Sequence, residues 1–241
     1  MNRNRFIAPA LLFSLSVVLA TIVLSLTLKS IKSADQTINT TGSAKKVIVS
    51  DLGVLKGTIT IEGQSPVDAY QSLQAQKPKV TAYLKSKGFG EDKIEFQPSN
   101  QYANYLYNDN GQQVGIRSYT VSQSLRVEST DVNKVKTVSL DISSLVEQGV
   151  SFTVNPPEYY YTKISEIKVD IQAEAAKDAM VRGERIAEAT GRKLGALRTA
   201  RMGVIQITPE NSNMVSDQGI NDISSIRKEI TAVVSAEFSI H

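Results

Sequence analysis

Residues 229–240 read EITAVVSAEFSI, and every second side chain is apolar: Ile230, Ala232, Val234, Ala236, Phe238 and Ile240. Successive side chains of a strand point to opposite faces, so this period of two predicts a half-buried strand. A buried strand face needs neighbours, and the chain offers several. Val47-Ile48-Val49 and Gly57–Glu62 (GTITIE) run apolar or alternate, Lys93–Gln97 reads as a strand, and Val114–Glu128 as a long one. Asn108-Asp109-Asn110-Gly111 is a strong turn sequence that joins the last two. Phe152-Thr153-Val154 and Tyr159-Tyr160-Tyr161 read as short pieces of strand around Pro156-Pro157, and Arg201–Thr208 as a strand before a polar loop, Glu210–Ser225.

Three helices separate these strands. Ser65-Pro66 starts the first, with a capping residue followed by proline at the first helical position. Val67, Tyr70, Leu73, Val80 and Leu84 mark its apolar face, Gly88 stops it, and Pro78 should bend or break it. Asp131 or Thr130 caps the second, whose Val132, Val135, Val138, Ile142 and Leu145 recur at helical spacing before Gly149. The third and longest covers about Ile164 to Lys193, ending at Gly191 or Gly195. Its predicted inner face is small: Ala173, Ala176, Ala179, Gly183, Ala187 and Thr190, which permits close approach to a sheet. Strands and helices broken by hairpin turns predict an α+β fold with a largely antiparallel sheet.

Before this domain, residues 6–28 contain no charged side chain, and basic residues flank the run on both sides. As a helix it would reach about 35 Å, enough for a hydrocarbon core of about 30 Å. A cleaved secretory segment is the competing reading, because Arg3 and Arg5 precede the run and Val18-Leu19-Ala20 resembles a cleavage site. The run exceeds the usual core of such a segment and continues past that site, which favours an uncleaved transmembrane anchor. The flanking charges balance, so the shortness of residues 1–5 decides the orientation: a cytoplasmic tail inside and the C-terminal part outside. Residues 29–45 are polar, small and weakly patterned and read as a flexible linker, which leaves 46–241 as one extracytoplasmic domain.

Composition removes whole classes of chemistry. The chain has no cysteine and one histidine, His241, at its last position, so thiol catalysis, a histidine triad and a cysteine or histidine metal site are excluded. A net charge of +3, with basic and acidic residues interspersed, carries no nucleic-acid signature. Carboxylate pairs exist on paper: Asp131 with Asp141, Glu174 with Asp178, and Glu184 with Glu188. Helices carry such pairs routinely on solvated surfaces, so no catalytic, cofactor-binding or metal residues are assigned and no enzyme activity is expected. Gly191-Arg192-Lys193-Leu194-Gly195 lacks a preceding strand and is not read as a phosphate loop. The remaining candidates are Tyr102, Tyr105 and Tyr107, which precede the Asn-Gly turn and suit an interface or a ligand surface, or else pack in the core and shield a sheet edge.

Four segments resemble the SIMPL-domain family of bacterial proteins. They are Val80–Phe89 with Lys93-Ile94-Glu95; Gly115-Ile116-Arg117 opening Ser118–Val127, with Ile116 where the family has an aromatic residue; the alanine-rich Pro157–Ala189; and Gly191–Gly195 with the terminal strand. The resemblance runs from about Val47 to Ile240. It implies an exported or membrane-anchored α+β domain with paired β-α units, homo-oligomeric rings in some members, and an association with envelope and oxidative-stress tolerance. It supplies no catalytic residues. The expectation is therefore a non-enzymatic protein of the bacterial cytoplasmic (inner) membrane. It would contact the bilayer through residues 6–28 and assemble as a homo-oligomer. The alternative is a monomeric periplasmic binding domain for a peptide, lipid or glycan.

Overall fold

The alternating C-terminal strand is the spine of one sheet. In a computed structural model, which describes residues 7–34 and 36–241, β10 (Arg227–Ile240) pairs along its whole length with β1 (Thr37–Val49), from Thr37 opposite Ser239 to Val49 opposite Arg227. Its other edge is shared by β7 (Leu194–Met202) and β8 (Gln206–Pro209), and the short β9 (Ile220–Asn221) runs parallel to β8. This first sheet buries Ile230, Ala232, Val234, Ala236 and Phe238 beneath one long helix, α5 (Ile164–Ala189).

A second sheet is centred on β2 (Leu52–Gly63), antiparallel to β4 (Gln113–Ser129) on one side and to β5 (Phe152–Val154) and β6 (Glu158–Tyr160) on the other. Beyond β4 lies β3 (Ile94–Tyr107) at the edge. Its core face packs on α2 (Pro66–Ser86) and α3 (Val132–Asp141), with the single turn α4 (Ser144–Glu147) completing the layer. The fold is α+β, as read from the sequence, and every strand pair but β8–β9 is antiparallel.

Local chemistry explains the helix ends. Ser65 Oγ accepts from the Asp68 backbone N–H at 3.2 Å with Pro66 at the first helical position, and Asp131 Oδ1 accepts from the Lys134 N–H at 2.9 Å. After α5, Gly191 takes a φ of +70°, and the Arg192 N–H returns to the Ala187 carbonyl at 2.8 Å. That reversal favours glycine because it lacks a Cβ.

Several sequence expectations need correction. The predicted linker 29–45 is not a tether: α1 (Ile7–Ala34) continues through residue 34, and β1 starts at Thr37. Its inward positions are Thr40, Gly42 and Ala44, small residues that lie against α5, so the strand shows no apolar pattern. Gly42 is the tightest point: a Cβ there would lie 2.1 Å from the Ala179 nitrogen and 2.3 Å from the Ala175 oxygen. On α5 the buried stripe is Ile167, Ile171, Ala175, Ala179, Gly183 and Ala187, whereas Ala173, Ala176 and Thr190 are exposed. The step is four residues throughout, so the stripe rotates by about 40° per step around a helix of 3.6 residues per turn. On α2, Val67 and Tyr70 are exposed while Ala69 and Tyr83 are buried, and the helix runs unbroken through Pro78. The second predicted helix is divided into α3 and α4, and the strand over 201–208 into β7 and β8. The predicted tail 1–5 lies outside the described residues.

Candidate functional site

The three candidate tyrosines lie on one long hairpin. Residues 104–107 of β3 and 113–118 of β4 extend beyond the end of β2, and nearly all of 95–117 is exposed. Asn108 organises the turn: its Oδ1 accepts from the backbone N–H groups of Asn110 at 3.1 Å and Gln112 at 2.9 Å. Gly111, with φ +75°, donates its N–H to the Asn108 carbonyl. At the root, Asn104 Nδ2 donates to Ser118 Oγ at 2.9 Å and Thr120 Oγ1 at 2.8 Å, and Ser118 donates onward to Glu62. The tip is thus fixed by its own polar groups.

Strand alternation separates the tyrosines. Tyr105 and Tyr107 share a face, opposite Ile116 and Gln113, and Tyr102 lies on the other face with Asn104, opposite Thr120. Tyr102, Tyr105 and Tyr107 are 55%, 46% and 63% exposed. Sequence reasoning missed their apolar company: Leu106, Val114 and Ile116 are also exposed on the arm. The extra β4 residues at the two register shifts are Val114 and Arg117: both re-aim the arm, and Val114 adds to its apolar surface.

A second polar constellation lies where the sheets meet. The chain crosses from β1 to β2 in two residues: the Ser50 N–H donates to the Ile226 carbonyl at 2.8 Å and the Asp51 N–H to the Tyr160 carbonyl at 2.9 Å. Beneath the crossing, Lys228 is 2% exposed and its ammonium donates to the carbonyls of Tyr159 and Asp222. Burial pushes the Lys228 ammonium down, and the neighbouring Asp222 charge partly opposes this. Burial pushes the Asp222 carboxyl up, but hydrogen bonds from Ser224 and Ser225 and the charge of Lys228 outweigh it, leaving Asp222 below the usual carboxylate range. A cavity of about 100 Å³ adjoins the pair, lined by Ile48, Tyr159, Tyr161, Ile164 and Ile207. Lys228 is detectable in sequence, because the inward register of β10 extends back from Ile230 to it. A strand drawn from Glu229 omits it.

The carboxylate pairs are not brought together as catalytic dyads. Asp131 caps the start of α3 and Asp141 is its last residue, and Asp141 accepts from the Tyr83 hydroxyl at 3.0 Å and pairs with Lys87 at 2.5 Å. The Lys87 and Tyr83 hydrogen bonds hold Asp141 below its ordinary range. Asp178 accepts from the Ser43 N–H and pairs with Arg182, each at 2.8 Å, and Glu188 pairs with Arg185 at 3.3 Å. On the outer face of the second sheet, Lys56 and Tyr160 donate to Glu158, which lowers that carboxyl. Among the described residues no group of three or more histidine, cysteine, aspartate or glutamate residues is placed to hold a metal ion.

Among the described residues no helix is long and apolar enough to cross a membrane; in α1 the side chains described are those of 13–27. Every one of these is exposed to the surroundings of the chain.

A comparison with curated proteins returns no match. A family model, SIMPL, described as a protein of unknown function (DUF541), matches residues 38–238, beginning at the first residues of β1 and ending in the last residues of β10. The match takes in both sheets and covers most of the chain, which therefore belongs to the SIMPL family.

Proposed function

We propose that this chain is a non-enzymatic envelope protein, held in the bacterial cytoplasmic membrane by α1, whose SIMPL domain associates with copies of itself. The observation that carries self-association is the β3–β4 arm. It presents Tyr102 and Leu106 on one face and Tyr105, Tyr107 and Ile116 on the other, outside the reach of α2 and α3. A two-stranded ribbon is marginal alone, and an apolar patch at its tip is what an interface covers. Its self-satisfied turn keeps the arm in one shape, which lowers the ordering cost of binding. Tethering in a membrane raises the effective concentration of copies, and a heterologous contact that closes produces a ring.

The membrane assignment is supported by α1. Phe13, Leu15, Val17, Leu19, Ile22, Val23, Leu24 and Leu26 are all exposed, and such all-round apolarity suits lipid. Ser16, Thr21 and Thr27 donate their hydroxyls to carbonyls of the preceding turn, so these groups need no water. The domain then lies on the extracytoplasmic side. A role in envelope or oxidative-stress tolerance rests on the family resemblance alone.

Light scattering on the full chain in mild detergent tests this reading. A discrete mass of several copies is expected. A monomer at micromolar concentration would overturn it and favour a binding domain for a peptide, lipid or glycan, which a ligand-induced rise in melting temperature would then report.

A further inference from the structure

The first sheet begins almost where α1 ends. Three residue steps separate Ala34 from Thr37, at most about 10 Å of chain. The apolar run ends at Leu28, and residues 29–34 continue α1 by about 9 Å. A headgroup layer is about 5–7 Å thick on each side. A spanning α1 therefore starts β1 no more than about 14 Å beyond the headgroup layer.

The register fixes which residues form that edge of the domain. Thr37 lies opposite Ser239, and the Ile240 N–H donates to the Gln36 carbonyl at 3.0 Å. Lys193 and His241 exchange backbone hydrogen bonds at 2.8 and 3.1 Å, and the Arg192 guanidinium donates to Gln36 Oε1. The turn that leaves α5, the end of β10 and the start of β1 are thus one edge. Arg192, Lys193 and His241 are exposed on it. Two carboxylates near this edge have partners of their own: Glu188 pairs with Arg185 at 3.3 Å, and Glu237 accepts from Thr199 Oγ1 at 3.2 Å.

We propose that this edge of the first sheet seats on anionic lipid headgroups around α1, with Arg192 and Lys193 on lipid phosphates. The seat rests on α1 spanning the bilayer. A guanidinium fork matches phosphate oxygens, and the surface potential of an anionic leaflet acts over a Debye length of about 8 Å, so the seat holds with the connection folded back and not fully extended. The role left for the sequence Gly191-Arg192-Lys193 is then neither a phosphate loop nor a simple helix stop. It is the foot on which the domain stands.

The chain contains no cysteine, so single probes are easily placed. Full-length chain carrying a fluorophore at His241→Cys is compared with one at Val49→Cys, the far end of β1 and about 40 Å away. Both are incorporated into nanodiscs of phosphatidylglycerol and phosphatidylcholine with a headgroup-attached quencher. Quenching at 241 is expected to exceed that at 49 by about threefold, and to fall by about half with R192E/K193E or in phosphatidylcholine alone. Equal quenching at the two positions in an incorporated chain would overturn the seat and leave the anchor standing. Strong quenching at 241 that ignores both charge reversal and lipid charge would overturn the phosphate contact. A chain that does not incorporate would overturn both the anchor and the seat. The lipid exchange needs no variant at 192 or 193, so misfolding of the double variant cannot mask the result.

Discussion

The two halves of this domain each lay a helix on a sheet, but with different shares of backbone contact and large side chains. Over the first sheet, α5 approaches until backbone meets backbone at Gly42, Ala175 and Ala179. Over the second, α2 comes that close only in its first turns, where a Cβ at Gly63 would lie 2.6 Å from the Ala69 nitrogen, and from there it stands off on Leu73, Val80 and Leu84, which pack among Leu55, Ile59, Leu125 and Val127. The first seam has no room for an added atom at Gly42, and the second layer depends mainly on large side chains that fill the space. The same architecture therefore has two failure modes, enlargement in one half and truncation in the other.

The largest expected effect follows from filling the narrow seam. Gly42→Val places carbon against the α5 backbone, which no rotamer change relieves. It should cost at least about 4 kcal/mol, at or beyond the upper end of overpacking penalties, and chemical denaturation measures it. Truncation should dominate in the other half. Leu84→Ala, fully buried, should cost about 3 kcal/mol in the same assay. Were Gly42→Val neutral and Leu84→Ala severe, the distinction between the two halves would be wrong.

A smaller effect is expected at the joint between them. Asp222 sits below its ordinary range in the folded chain, so the unfolded chain binds that proton more readily as acid is added. Its stabilising contribution is present above about pH 4 and is lost as pH falls through the folded value. Asp222→Asn should flatten the loss of melting temperature between neutral and acid pH, whereas an unchanged slope would remove Asp222 from the account. The smallest change in monomer stability belongs to the arm. Tyr105→Ser with Tyr107→Ser should alter unfolding by no more than about 0.5 kcal/mol per site, because both side chains are exposed, yet shift the detergent-solubilised mass toward monomer.

How much of this is visible in the sequence differs between the same two halves. Large apolar residues at strand and helix periods disclose β10, β4, α2 and α3, and cap chemistry discloses Ser65 and Asp131. The narrow seam hides itself. Thr40, Gly42 and Ala44 read as a tether because close packing excludes the large side chains that would reveal a strand. On α5 a choice among many alanines is undetermined until the sheet beneath selects every fourth residue. The tyrosine arm was legible as a hairpin, since Asn108–Gly111 encodes the turn. The partition of its tyrosines between two faces required the register. Lys228 lies on the inward register of β10 two residues before Ile230, and a strand drawn from Glu229 leaves it out because its side chain is charged.

The most direct test of self-association through the arm is amide hydrogen exchange across residues 99–117 of the full chain in detergent, followed as protein concentration is raised. Protection that grows with concentration and is confined to this hairpin is the predicted result. Exchange on the arm that stays fast and independent of concentration would contradict it.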